Sequence, residues 1–181
     1  MSSIIKDSAK LIASEYNNGQ FKPLLEDDLL GRVYYHCLLN NYDSLAENIF
    51  LKANILHNIK HLNRQNKYDL VIGKNEGNKF VIPEIIVEFK VFMKAFSPSQ
   101  LSKRRDGVIK DIEKLNLVHK HFDNVKLFIF CFDEISWLTG YNLNDSKNRL
   151  ESFISFRNSS NENLKIIGLR CINKKAEYFE Y

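Results

Sequence analysis

The feature that most restricts this chain is Val125-Lys-Leu-Phe-Ile-Phe-Cys-Phe132, an almost wholly apolar run bounded by Asp123-Asn124 and Asp133. It is far shorter than the ~20 residues of a membrane-spanning helix. Its Phe, Ile and Val content predicts a strand covered on both faces. Such a strand needs a layer above and a layer below it. The expectation is an α/β chain with a central mixed β-sheet flanked by helices. With 181 residues, 44% of them hydrophobic, a single domain over 1–181 buries a sufficient core.

The flanking pattern fits that architecture. Pro23 and the acidic run Glu26-Asp27-Asp28 suit a first helical turn, and Leu30, Val33, Cys37 and Leu38 follow at helical spacing. This predicts a helix over about 23–39, ended by Asn40-Asn41. Residues 49–56 fit either a strand or part of a helix. Strands are expected over 68–72, 79–82 and 85–90, the last two interrupted at Pro83. A second helix is expected over about 100–116, opened by Ser97-Pro98-Ser99 and buried along Leu101, Val108, Ile112 and Leu115. A helix over 146–156, a long strand over 164–172 and a short edge strand over 178–181 complete the expectation.

Several functional classes drop out. Cys37, Cys131 and Cys171 are odd in number, far apart and form no CxxC pair, which argues against a disulfide framework or a thiolate zinc site and for a reducing, cytoplasmic setting. The N-terminal residues lack the apolar stretch of a secretion signal. Neither GxGxxG nor GxxxxGK[ST] occurs, so nucleotide folds lack their main signature. His57 and His61 have helical metal-pair spacing but no intervening Glu and no evident third ligand. The net charge of +4 permits an anionic partner without requiring one.

Ile85-Ile-Val-Glu-Phe-Lys90 is the most informative stretch. Strand alternation puts Glu88 and Lys90 on one face, with Phe89 on the other. Charges in so apolar a strand cost several kcal/mol if buried alone. They either pair with each other or belong to a site. Tyr68-Asp69-Leu-Val-Ile72 places one carboxylate at the start of another apolar strand, with a turn's length between it and Glu88. Asp69 either terminates its strand or meets Glu88 across neighbouring strands, where two hard oxygen donors suit a divalent cation such as Mg²⁺.

Asp69 followed by Glu88-Phe-Lys90 resembles the PD-(D/E)XK nuclease superfamily, the restriction-endonuclease-like fold. The resemblance covers roughly residues 23–132. The position that the family name writes as proline is Tyr68. The resemblance implies phosphodiester hydrolysis with Mg²⁺, or Mn²⁺ in its place, Asp69 and Glu88 as metal ligands and Lys90 at the attacking water. It also implies an acidic residue on the preceding helix. Helical phase favours Glu26 over Asp28 for that place, although an acidic turn that favours the helix dipole explains all three residues.

The implied substrate is nucleic acid, DNA ahead of RNA, cut by an endonuclease of restriction, defence or repair. A homodimer would supply the two active sites that duplex cleavage needs. The following helix carries Gln100, Lys103, Arg104, Arg105, Lys110 and Lys114, of which Lys103, Lys110 and Lys114 recur on one face suited to phosphates. The plain alternative is a solvated helix laced by Asp111 and Lys114. For the chain as a whole, the alternative is a non-catalytic nucleic-acid-binding or interaction module on the same fold.

Overall fold

The computed structural model describes residues 2–55, 67–75, 80–136 and 162–181. Helices α1 (Ser2–Asn17) and α2 (Glu26–Leu45) precede a meander of β1 (Ile49–Ile55), β2 (Tyr68–Asn75) and β3 (Phe80–Phe92). Then come α3 (Pro98–His119), β4 (Lys126–Asp133), β5 (Leu164–Ile172) and β6 (Lys175–Glu180). The strands lie in sequence order in one sheet, so the described residues form a single α/β domain. β2 is antiparallel to β1 and β3, β3–β4–β5 are parallel, and β6 is antiparallel to β5. Ile55 of β1 also pairs in parallel with Val81 of β3, closing the meander on itself.

β4 behaves as its composition requires. Phe128, Phe130 and Phe132 pack on the α1–α2 side. Leu127, Ile129 and Cys131 pack on the α3 side. All six are essentially fully buried, and each Phe contributes roughly 1.5–3 kcal/mol of transfer free energy. α1 is additional to the elements expected from sequence. Its Ile5, Ala9 and Ile12 form the buried stripe that seats it on the first face.

Three expected boundaries are corrected. The α2 helix does not stop at Asn40-Asn41. It kinks at Asn41 and continues to Leu45, because the amides of Asn40 and Asn41 donate to the carbonyls of His36 and Cys37 at 3.2 Å. Leu45 then reaches the core. β3 is not interrupted at Pro83, which pairs with Gly73 beside a register shift in β2. Gly73 turns its N–H away from β3, to Asn48 O at 2.8 Å, so at this irregularity the ladder asks Pro83 for no donor. A Cβ on Gly73 would lie 2.1 Å from the Ile82 carbonyl oxygen, which makes glycine obligatory there. β6 starts at Lys175, since Asn173 and Lys174 both take positive φ, 51° and 65°, and turn the chain tightly out of β5. The helix expected over 146–156 and the pair His57/His61 lie outside the described residues. No helix among the described residues is long and apolar enough to cross a membrane.

Candidate functional site

The register of the meander brings the two candidate strands together. Leu70 pairs with Val87, so one step further Asp69 stands beside Glu88. The amide of Phe89 donates to Asp69 Oδ2 at 3.0 Å, pinning that carboxylate to β3. Leu70, Val87 and Phe89 point into the α1–α2 core. Asp69, Glu88 and Lys90 therefore project to the face that α3 covers.

Ion pairs fill that space. Glu88 Oε1 accepts from Lys114 Nζ at 2.5 Å. Lys90 Nζ lies 2.7 Å from Asp111 Oδ2 and also donates to Phe89 O at 2.9 Å. Asp69 Oδ1 accepts from Lys52 Nζ at 2.6 Å. Glu26 Oε1 accepts from Arg104 at 2.5 Å, while that guanidinium lies 4.4 Å from the Phe96 ring centroid. Asp28 does something else: it accepts the amides of Leu24 and Leu25 at 2.9 Å and closes the start of α2. The acidic turn thus divides its labour as helical phase suggests, with Glu26 toward the strands and Asp28 at the cap.

The charges feel one another. Burial pushes the Glu88 carboxyl up to about 8; Lys114 opposes this, and the charges of Asp111 and Asp69 reinforce it. Asp69 goes the other way. Burial would raise it, but the Lys52 ammonium, the Phe89 amide and the Lys90 charge hold it below the usual carboxylate range. Glu26 is raised by burial, against the pull of Lys90 and Arg104. Burial works against the charge of Lys90, yet Asp111, Glu26 and Glu88 outweigh it and hold the ammonium above its ordinary value. Lys90 is therefore a fixed cation.

The structure places the other candidates differently. Gln100, expected at nucleic acid, has its side-chain oxygen on the Ser97 N–H at 2.8 Å, and Ser97 Oγ accepts the Gln100 N–H in return. It closes a capping box. The expected basic face of Lys103, Lys110 and Lys114 is split: Lys103 and Lys110 are exposed, Arg105 is half-buried, and Lys114 turns in to Glu88. Arg104 likewise points inward, to Glu26.

The site roles of Asp111, Lys52 and Tyr68 escaped sequence reasoning. Asp111 was visible only as a surface partner of Lys114. Its signal was the stripe Arg104, Gly107, Asp111, Lys114, spaced i, i+3, i+7, i+10 beside the apolar stripe of α3. Gly107 belongs to that stripe because a Cβ there would come within 3.3 Å of Lys90 Cε. Lys52 carried no signal. It adopts φ 49°, the one positive φ of a non-glycine residue inside a strand among the described residues. Tyr68 is fully buried with Lys114 Nζ 4.8 Å from its ring centroid. Its hydroxyl has no hydrogen-bond partner among the described residues.

Among the described residues, no group of three or more His, Cys, Asp or Glu side chains is arranged to hold a metal ion. Asp69 and Glu88 stand on neighbouring strands as two oxygen donors, and lysines hold one oxygen of each. Comparison with known proteins adds no name to this geometry: no family model matches the chain, no curated protein matches it, and no solved structure matches it.

Proposed function

We propose that this chain is a divalent-cation-dependent nuclease of the PD-(D/E)XK type on a restriction-endonuclease-like fold, acting on nucleic acid, DNA ahead of RNA. The observation that carries the reading is the meeting of Asp69, Glu88 and Lys90 on one face of β2 and β3, with Glu26 of α2 beside them. The run from α2 through β4, helix, three strands, helix, strand, supports it, because it follows the order on which the sequence resemblance rests.

The donor set fits Mg²⁺ or Mn²⁺. Mg²⁺ binds through one or two carboxylates and keeps several waters, and Asp69 and Glu88 supply two such carboxylates. The buried hydroxyl of Tyr68 beside them, without a hydrogen-bond partner among the described residues, is a polar group ready for a ligand or its water. When bound, the cation supplies charge against the developing phosphorane and acidifies its water. Lys90 offsets negative charge on the attacked phosphate and orients the nucleophilic water. Held as an ammonium by Asp111 and Glu26, it does not act as the base. Glu26 keeps Arg104 beside the site. For cleavage of both strands of a duplex, the proposed assembly is a homodimer.

One observation favours a second reading, a non-catalytic nucleic-acid-binding module: each carboxylate already has a lysine or arginine partner. The test separates the two. Wild type, Glu88→Gln and Asp69→Asn are incubated with plasmid, single-stranded DNA and RNA in Mg²⁺ or Mn²⁺, then with chelator. The nuclease reading expects cleavage of at least one substrate by wild type alone, stopped by chelator. Intact substrates throughout, or equal cutting by all three proteins, would leave the binding module in its place.

A further inference from the structure

Lys52 and Lys114 stand on the oxygens that a cation would need. Lys114 Nζ is 2.5 Å from Glu88 Oε1. Lys52 Nζ is 2.6 Å from Asp69 Oδ1 and 3.3 Å from Asp27 Oδ1. The Lys52 contact is held at a backbone cost. β1 residues 49–51 pair with β2, pairing lapses at Lys52 and resumes at Ala53, without a change of register. Lys52 therefore occupies the ladder position opposite Asp69, with its ammonium on that carboxylate and its backbone at a left-handed φ of 49°. A non-glycine residue in this region stores about 1–3 kcal/mol, and such residues cluster at ligand clamps and switches. Asp27 is three-quarters exposed and Lys52 about half, so the Lys52 head has a path to solvent. Tyr68, whose buried hydroxyl next to Lys114 and Glu88 has no hydrogen-bond partner among the described residues, is the second sign that the polar space is incomplete as it stands.

We propose that Lys52 and Lys114 are displaceable counter-ions: a divalent cation takes their places on Asp69 and Glu88, and the two released ammoniums bind phosphates of the nucleic acid. The inference rests on the proposed metal-dependent reading and adds its regulation. Cation and substrate then bind with positive coupling, because the cation frees the groups that hold the substrate. Asp27, which loses Lys52 in the exchange, is three-quarters exposed and stays hydrated, and the other charges exchange partners. The lysines neutralise the carboxylates before the cation arrives, and phosphates neutralise the lysines after it.

The test is Mn²⁺ binding followed by electron paramagnetic resonance, on wild type, Lys52→Ala and Lys52→Gly. The glycine variant removes the ammonium and tolerates φ 49°, so it folds without the strain. Removing a competitor worth up to about 1 kcal/mol tightens Mn²⁺ binding up to about fivefold in both variants. A structural lysine would give the opposite, weaker binding from a loosened Asp69. Unchanged or weaker binding in both variants overturns the proposal, as does Mn²⁺ binding by none of the three proteins. Binding by the variants and not by wild type supports it. The second readout is the salt dependence of duplex binding in Ca²⁺ and in chelator. The slope for wild type steepens in Ca²⁺ by about 0.9 per released lysine. That increment shrinks by one lysine's share in Lys52→Ala; an increment equal to wild type overturns the exchange. Neither readout depends on cleavage, so a wild type that cuts nothing fails the nuclease reading alone.

Discussion

Glu88 and Glu180 have similar partners and opposite fates. Glu180 Oε1 accepts from Lys165 at 2.6 Å and Lys6 at 2.8 Å, and its other oxygen accepts from Tyr178 at 2.8 Å. Those donors, outweighing a little burial, bring its carboxyl down to about 2. Glu88 has Lys114 at 2.5 Å and rises to about 8. The difference is hydration. Glu180 sits on the exposed edge of β6, whereas Glu88 is 4% exposed beneath α3. A lysine partner does not replace lost solvent when two further carboxylates, Asp111 and Asp69, press on the same space. Similar pairs thus make a surface tie on the edge strand β6 and a buried charge cluster on the inner strand β3.

The comparison can be broken most severely through activity. Glu88→Gln lowers single-turnover cleavage by about 10³-fold or more, the loss expected for charge stabilisation at a developing oxyanion. Glu180→Gln leaves it within twofold. Equal losses would erase the distinction.

Stability gives the next effect. Lys114→Met strands the Glu88 carboxylate and costs about 3 kcal/mol at pH 9 by urea titration. Lys165→Met removes a surface partner and costs less than about 1 kcal/mol. A Lys114 variant as stable as the Lys165 variant would mean that solvent reaches Glu88.

Opposite pKa shifts require opposite pH limbs. Folded Glu88 keeps its proton up to about 8 while the unfolded chain releases it near 4.5. Stability therefore falls as pH rises from about 4.5 to 8, by a few kcal/mol on the order of 1.4 per unit of pH. Glu88→Gln flattens that limb. Glu180 has the reverse sign: its contribution is complete above about 4.5 and is lost as pH falls toward 2. Glu180→Gln removes only this acid limb.

The smallest expected effect is at Gly107→Ala. The new methyl meets Lys90 Cε at 3.3 Å, a flexible chain that yields by a few tenths of an ångström. Helix propensity gained and crowding incurred nearly cancel, so the unfolding midpoint moves by less than about 1 kcal/mol equivalent. The Lys90–Asp111 pair shifts, and cleavage falls by a few fold while substrate binding holds. Unchanged single-turnover rates would mean that Lys90 needs no fine placement.

Much of the architecture was legible in local pattern. β4 announced itself by eight near-continuous apolar positions, β5 by a similar run, and α3 by its buried stripe. Strand alternation was enough to put Glu88 and Lys90 on one face, and helical phase to prefer Glu26 over Asp28. Elements whose local signals conflict were less legible. Asn40-Asn41 looked like a stop because asparagine favours turns, but their amides satisfied the helix carbonyls. Pro83 looked like a break, but the irregularity at Gly73 on the neighbouring strand turns that residue's N–H to Asn48 and asks no donor of the proline.

Local sequence, then, specifies residue periodicity, and from periodicity come the layers, the both-face burial of β4 and the shared face of Glu88 and Lys90. It does not specify which charges meet. Lys52, Asp69, Glu88 and Lys114 are separated by up to 62 positions, and their contacts exist only once β1 and β3 pair with β2 and α3 docks across them. Lysine beside a carboxylate is stabilising or costly according to how much water the fold removes from both. That quantity belongs to the packed sheet and its covering helix, and to no segment alone.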